Sequence, residues 1–170
     1  MSDRVRIGLL LAVLLAALVL LAGCLSGAQA APPKVGESAP DIAFTTLEGR
    51  PMKLSELRGQ VVLLNFWATT CPPCRAEMPA LQSVYAQVKD QGGVVVAIDQ
   101  REAPETVQRF VDEFQLTFPV SIDSTGGIFA RYGVQFIPTT FVVDKQGVVR
   151  FMKVGEMDQD TIRRYFTTLR

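Results

Sequence analysis

The sequence predicts an α/β fold in which buried strands form a central sheet covered by helices on both faces. Three observations carry that expectation. Val61-Val62-Leu63-Leu64-Asn65-Phe66 and Val94-Val95-Val96-Ala97-Ile98-Asp99 are apolar, β-branched runs without polar alternation, the pattern of strands buried on both faces. Other segments have apolar residues at three- and four-residue steps, the period of amphipathic helices. Strands and helices alternate along the chain, which argues for a mainly parallel sheet.

The chain has 170 residues, 17 basic against 17 acidic, so its formal net charge is zero. That fits one domain plus an appendage and gives no electrostatic basis for binding nucleic acid. The appendage comes first. Arg4 and Arg6 precede an apolar run from Ile7 to Ala22, followed by Gly23 and Cys24, the form of a secretory signal peptide over residues 1–23. The run falls short of the ~20 residues that span a bilayer comfortably, which places an uncleaved anchor second. Leu21-Ala22-Gly23-Cys24 resembles the bacterial lipobox, which implies cleavage before Cys24 and acylation of that residue. Ala28-Gln29-Ala30 is a competing site that would release a soluble protein. Acylation at Cys24 also leaves no stray thiol beside the remaining two cysteines. Residues 24–34, rich in Ser, Gly, Ala, Gln and Pro, then read as a lipid-anchored tether to the membrane, with the folded domain over 35–170.

Within that domain, Pro40 to Thr45, a turn at Leu47 to Pro51, and Met52 to Leu54 suggest a leading β-hairpin. Ser55 to Gly59 reads as one helical turn closed by glycine. After the first buried strand, Met78, Leu81, Val84, Tyr85 and Val88 mark a helix that ends at Gly92-Gly93, with a kink expected at Pro79. Val107, Phe110, Val111 and Phe114 mark a second helix over Glu105 to Phe114, and Pro119 to Ile122 a short strand. A short helix over Gly127 to Tyr132 precedes a strand from Phe136 to Asp144. Lys145-Gln146-Gly147 turns the chain into Val148 to Met152, and Ile162, Tyr165, Phe166 and Leu169 mark a closing helix over Asp158 to Leu169.

Chemistry concentrates at Cys71-Pro72-Pro73-Cys74, just past the first buried strand and at the N-terminus of the next helix. Unpaired amides and the helix dipole there favour a thiolate on the first, more exposed sulfur. Cys71 is the expected nucleophile and Cys74 the resolving thiol. A zinc half-site would need two further ligands, but the chain has no His and its other Cys is distant, so no metal is expected. A structural disulfide closing so short a loop would restrain the unfolded chain little. The pair itself therefore serves as the redox group, with no separate cofactor. Pro72 and Pro73 carry no N–H for a Cys71 thiolate, which tilts the pair toward acting as a reductant. Glu77 pushes the same way, while Arg75 and the helix dipole oppose.

Phe66-Trp67-Ala68-Thr69-Thr70-Cys71-Pro72-Pro73-Cys74 together with Ile137-Pro138-Thr139-Thr140-Phe141-Val142-Val143-Asp144 resembles the thioredoxin superfamily, specifically its TlpA/ResA-like extracytoplasmic thiol–disulfide oxidoreductases. The resemblance covers roughly Val35 to Arg170. It implies a thioredoxin-like mixed sheet with an N-terminal hairpin and an inserted helix–strand segment. It further implies a cis Ile137–Pro138 peptide and a substrate-facing surface that includes Trp67, Ile137 and Pro138. Where thioredoxins have a buried Asp this chain has Asn65, which cannot take up a proton, and the resemblance assigns an active-site glutamate to Glu77. Thr70 replaces a second Trp found in many members. Implied partners are disulfides of exported proteins, apocytochrome c among them, and a membrane electron donor, with no indication of oligomeric state. The domain type is shared with peroxiredoxins, whose Pro-x-x-x-Thr/Ser-x-x-Cys pattern is absent, since Leu64 and Ala68 stand at its first two positions. A copper chaperone of the Sco type would need a His ligand. A non-catalytic binding module using the proline loop is the remaining alternative.

Overall fold

The computed structural model of the protein describes residues 31–169. The expected signal peptide, Cys24 and most of the tether lie outside them. Pro33 is buried, so the folded part begins a few residues ahead of the expected boundary at Val35.

The leading hairpin pairs β1 (Ala43–Thr45) with β2 (Pro51–Lys53) antiparallel, and a 3-10 turn follows at Leu54–Leu57. The main sheet contains β3 (Val61–Trp67), β4 (Gly93–Asp99), β5 (Val120–Ile122), β6 (Thr139–Val143) and β7 (Val149–Val154), in the order β5-β4-β3-β6-β7. Its helices are α1 (Pro72–Val88), α2 (Pro104–Phe114), α3 (Gly127–Tyr132) and α4 (Gln159–Thr168). The sheet is evenly mixed rather than mainly parallel. β3 runs parallel to β4 and β4 to β5, whereas β6 is antiparallel to both β3 and β7. The tight turn between β6 and β7 dictates the last of these pairings.

Because side chains alternate along a strand, β3 serves two cores. Val61, Leu63 and Trp67 pack toward α1, α2 and α4, whereas Val62, Leu64 and Phe66 pack toward the hairpin and α3. Position 65 falls on the first of these faces, so Asn65 points at α1. The same alternation sends Ala97 and then Asp99 of β4 toward α1 and α2.

Helix α1 continues through Pro79, which lies on its exposed face, and its chain leaves the helix through Gly92 in the left-handed region. Gly93 follows where a Cβ would meet Val88 Cγ2 at 2.5 Å, so the turn from α1 into β4 leaves no room for a side chain.

Candidate active site

Cys71 is the residue that caps α1, with extended backbone, and Pro72 and Pro73 fill the first turn, where their missing amides would have had no helical partner. Cys71 and Cys74 are joined as a disulfide. The Cys74 amide donates to Cys71 Sγ at 3.3 Å. Cys71 is half-buried and Cys74 fully buried, so Cys71 is the sulfur open to an incoming disulfide.

The proline loop lies against this pair. The Ile137–Pro138 peptide is cis, as the resemblance implies, and the Ile137 carbonyl oxygen lies 3.8 Å from Cys71 Sγ. The Gly155 amide donates to the Pro138 carbonyl at 2.8 Å, tying the loop to the end of β7. Pro138 itself is buried, Ile137 is half-buried, and Phe136 beside them is 69% exposed. Sequence reasoning missed Phe136 because a large apolar residue in a strand-like run is ordinarily a core residue.

The expectation that Trp67 faces substrate is corrected. Its ring is fully buried against Phe110, with centroids 4.7 Å apart, because its position on β3 aims it under α2. The contribution expected of Arg75 to the thiolate also changes. The guanidinium stacks over Phe110 and Phe114, 4.9 and 5.0 Å from their centroids, and pairs with Glu113 at 2.9 Å. Its other hydrogen bond, at 3.4 Å, goes to the Thr69 carbonyl.

Glu77 occupies the next turn of α1 after Cys74 and is only 1% exposed. Asn65 Nδ2 donates to its Oε1 at 2.8 Å and the Met157 amide to its Oε2 at 3.1 Å. Burial pushes its carboxyl up to about 7; those two donors hold it down and the neighbouring charge of Glu156 adds to the rise. Asn65 Nδ2 also donates to Thr140 Oγ1 at 3.0 Å, while Asn65 Oδ1 has no partner among the described residues. Two donors, one from β3 and one from the loop after β7, thus converge on a carboxyl group carried by α1. The Met157 amide gives no signal in the sequence, since a backbone donor is set by the path of the chain and not by residue type.

A pair of carboxyl groups, Asp99 and Glu102, meets the turn that precedes Cys71. Thr69 donates its amide to Glu102 Oε2 at 2.5 Å and its hydroxyl to Glu102 Oε1 at 2.7 Å, and the Glu102 amide donates to Asp99 Oδ1 at 2.8 Å. Neither acid stands in a motif, so spacing alone could not have found them.

Such an arrangement, a half-exposed sulfur at a helix start beyond a central strand, a buried partner sulfur and a cis-proline loop against them, defines a thioredoxin-like thiol–disulfide oxidoreductase. Residues 35–152 match the AhpC/TSA family model, and the chain belongs to that family. Thiol-disulfide oxidoreductase ResA of Bacillus anthracis is 39% identical over 132 residues, covering 78% of this chain and 76% of that one. A thioredoxin family thiol:disulfide interchange protein from Chlorobium tepidum superposes with a TM-score of 0.73 at 28% identity, covering 82% of this chain and 99% of that one. A secreted Mycobacterium tuberculosis disulfide oxidoreductase, homologous to E. coli DsbE, does so with a TM-score of 0.69 at 30% identity, covering 75% and 96%.

Proposed function

We propose that the protein reduces disulfides in exported proteins, with Cys71 attacking and Cys74 resolving. The observation that carries this reading is the asymmetry of the pair, an accessible Cys71 beside a Cys74 enclosed behind it. The Cys71 thiolate attacks one sulfur of a partner disulfide, forming a Cys71–partner bond and releasing the partner's other sulfur as a thiolate. Cys74, having lost its proton, then attacks Cys71 Sγ. The Cys71–Cys74 disulfide forms, the partner leaves with its second thiolate, and two electrons have passed to the partner.

Cys74 is buried, so its proton needs a local acceptor. Glu77, one turn along the helix and with its carboxyl raised to about 7, suits that role near neutral pH. Asn65 can serve both states of Glu77. Its Nδ2 donates to the carboxylate, and a flip of the amide would offer Oδ1 to the carboxylic acid.

For the surface that meets the partner, Ile137 and Pro138 beside the sulfur are joined by Phe136, an exposed apolar contact next to the disulfide. The dithiol needs no bound cofactor, but it must be reduced again by a donor. Outside the cytoplasm, that donor is a membrane protein. Among the described residues no helix is long and apolar enough to cross a membrane. The secreted Mycobacterium tuberculosis relative supports an extracytoplasmic location for this chain. Anchoring through an acylated Cys24 is the form of that location favoured by its sequence, and mass spectrometry of the mature N-terminus distinguishes it from cleavage after Ala30. Apocytochrome c is one substrate class within this reading.

Family membership also raises a thiol peroxidase. Leu64 and Ala68 hold the two pattern positions ahead of Cys71, and the methyl side chain of Ala68 has no hydroxyl to offer a peroxide where that pattern requires Thr or Ser.

The test is a Cys74→Ser variant incubated with exported proteins. A mixed disulfide through Cys71 is expected to accumulate, and its partner is identified by mass spectrometry. If no adduct forms at Cys71, the reading is wrong.

A further inference from the structure

We propose that Glu102 is a positioning residue for Cys71: its carboxylate fixes the Ala68–Thr70 turn from which the attacking sulfur is presented to a partner disulfide. The turn leaves β3 at Trp67 and is closed by the Cys71 amide donating to the Ala68 carbonyl at 3.3 Å. Thr69 stands at its centre, and Glu102 holds Thr69 through both its amide and its hydroxyl, at 2.5 and 2.7 Å. Two hydrogen bonds to one carboxylate fix an orientation as well as a distance. A third contact, from the Arg75 guanidinium to the Thr69 carbonyl at 3.4 Å, bounds the turn from the α1 side.

Glu102 is itself held by an arrangement that the mechanism does not otherwise use. The chain leaves β4 at Asp99 and reverses at once, with Arg101 in the left-handed region at φ 63°. A non-glycine residue there costs on the order of 1 kcal/mol, and such conformations persist where the surroundings enforce them. This reversal directs the Glu102 amide to Asp99 Oδ1 at 2.8 Å and the Glu102 side chain back across β3 to Thr69. Asp99 is fully buried, and its Oδ2 has no hydrogen-bond partner among the described residues. A buried carboxyl with an unpartnered oxygen is stable when it keeps its proton. Burial first, and the adjacent Glu102 carboxylate second, push Asp99 up to about 8. For Glu102, burial acts upward, but the adjacent Asp99 carboxyl and the two hydrogen bonds from Thr69 outweigh it and hold the group below the ordinary carboxylate range. Near neutral pH the pair therefore carries a single negative charge, on the member that grips the turn.

Attack on a disulfide needs the incoming sulfur in line with the bond that breaks, and a displacement of about 1 Å can cost ~100-fold. A small alkylating reagent makes no such demand. This inference rests on Cys71 being the attacking sulfur, so the experiment reports the two ideas separately. Wild-type and Glu102→Ala proteins are compared in disulfide exchange with a folded protein substrate and in alkylation by iodoacetamide. Exchange is expected to fall at least tenfold in the variant while alkylation of Cys71 stays within about threefold. Exchange within twofold of wild type would overturn the proposal, as would a parallel loss of both reactions in folded protein. If Glu102→Ala does not fold, Thr69→Val and Thr69→Ser decide. Slow exchange in the first with recovery in the second supports the clamp, and equal rates in the two variants overturn it. Trapping in the Cys74→Ser protein tells the two failures apart. An adduct at Cys71 that forms equally fast with and without Glu102→Ala sinks the positioning role alone, whereas absence of any adduct sinks the nucleophile assignment.

Discussion

Replacing Glu77 by glutamine isolates the buried carboxyl behind the disulfide, and its effect on stability has a calculable pH dependence. The carboxyl titrates at 4.5 when unperturbed and at about 7 in the fold. Between those values the native protein holds a proton that the unfolded chain has released, so stability falls as pH rises across the interval. At ~1.4 kcal/mol per pH unit, that interval is worth about 3 kcal/mol, fully lost once the pH exceeds the folded value. Asp99, pushed up to about 8, adds a slope of the same sign. The informative quantity is therefore the difference between wild type and Glu77→Gln in urea unfolding, measured on oxidised protein so that the cysteines do not titrate. Glutamine faces one of the two donors, Asn65 Nδ2 or the Met157 amide, with an NH2 group. That adds a pH-independent offset of at most about 3 kcal/mol, smaller where the Asn65 amide flips to offer Oδ1, and leaves the slope untouched. The stability advantage of wild type over the variant is expected to shrink by about 3 kcal/mol from pH 4.5 to 8. A difference that stays flat across that range would refute a raised Glu77 carboxyl and its role as proton acceptor for Cys74.

Three further outcomes follow from the geometry. With Pro72 and Pro73 contributing no amide, which outweighs the single backbone N–H that Cys74 directs at Cys71 Sγ, the reduction potential should lie far below the roughly −120 mV of a strong oxidant such as DsbA; equilibration with glutathione or dithiothreitol buffers measures it. Arg75→Ala should leave the pH profile of Cys71 alkylation within about 0.3 unit, since the guanidinium is engaged by Glu113 and two rings, while costing about 1 kcal/mol in urea unfolding. Gly93→Ala should cost about 1–3 kcal/mol, because the new methyl group meets Val88 and the Phe166 ring where α1 turns into β4.

The elements that position the site were legible in the sequence for physical reasons that also mark the limits. β3 and β4 could be read because burial on both faces demands an unbroken apolar run, and α2 because one face alone is buried at Val107, Phe110 and Val111. The CxxC could be read because its two sulfurs are adjacent in the chain. Strand direction was less accessible: β6 runs antiparallel to β3, a fact settled by the hairpin with β7 and not by its own composition. The side on which a residue falls was harder still. The resemblance put Trp67 on the substrate-facing surface, yet β3 is buried on both faces and its alternation aims Trp67 under α2. Thr69, Asp99 and Glu102 meet across β3 and β4, more than thirty residues apart in part, where no local spacing could announce them.

The two acids around the disulfide show how environment assigns different tasks to one chemical group. Glu77 and Glu102 both accept backbone and side-chain hydrogen bonds, so counting donors does not separate them. Burial does. Glu77 is 1% exposed, and its two donors only partly offset its loss of water, so it keeps a proton until about neutral pH and can exchange it with Cys74. Glu102 is half-buried, and Thr69 together with a protonated Asp99 more than offsets the smaller loss, so it remains an anion. A carboxyl whose charge changes during turnover would make a poor clamp, and one fixed as an anion could not receive a proton. Exchanging the two environments would therefore abolish both proposed tasks, the acceptor's one turn beyond the buried Cys74 and the clamp's at the turn ahead of the half-buried Cys71.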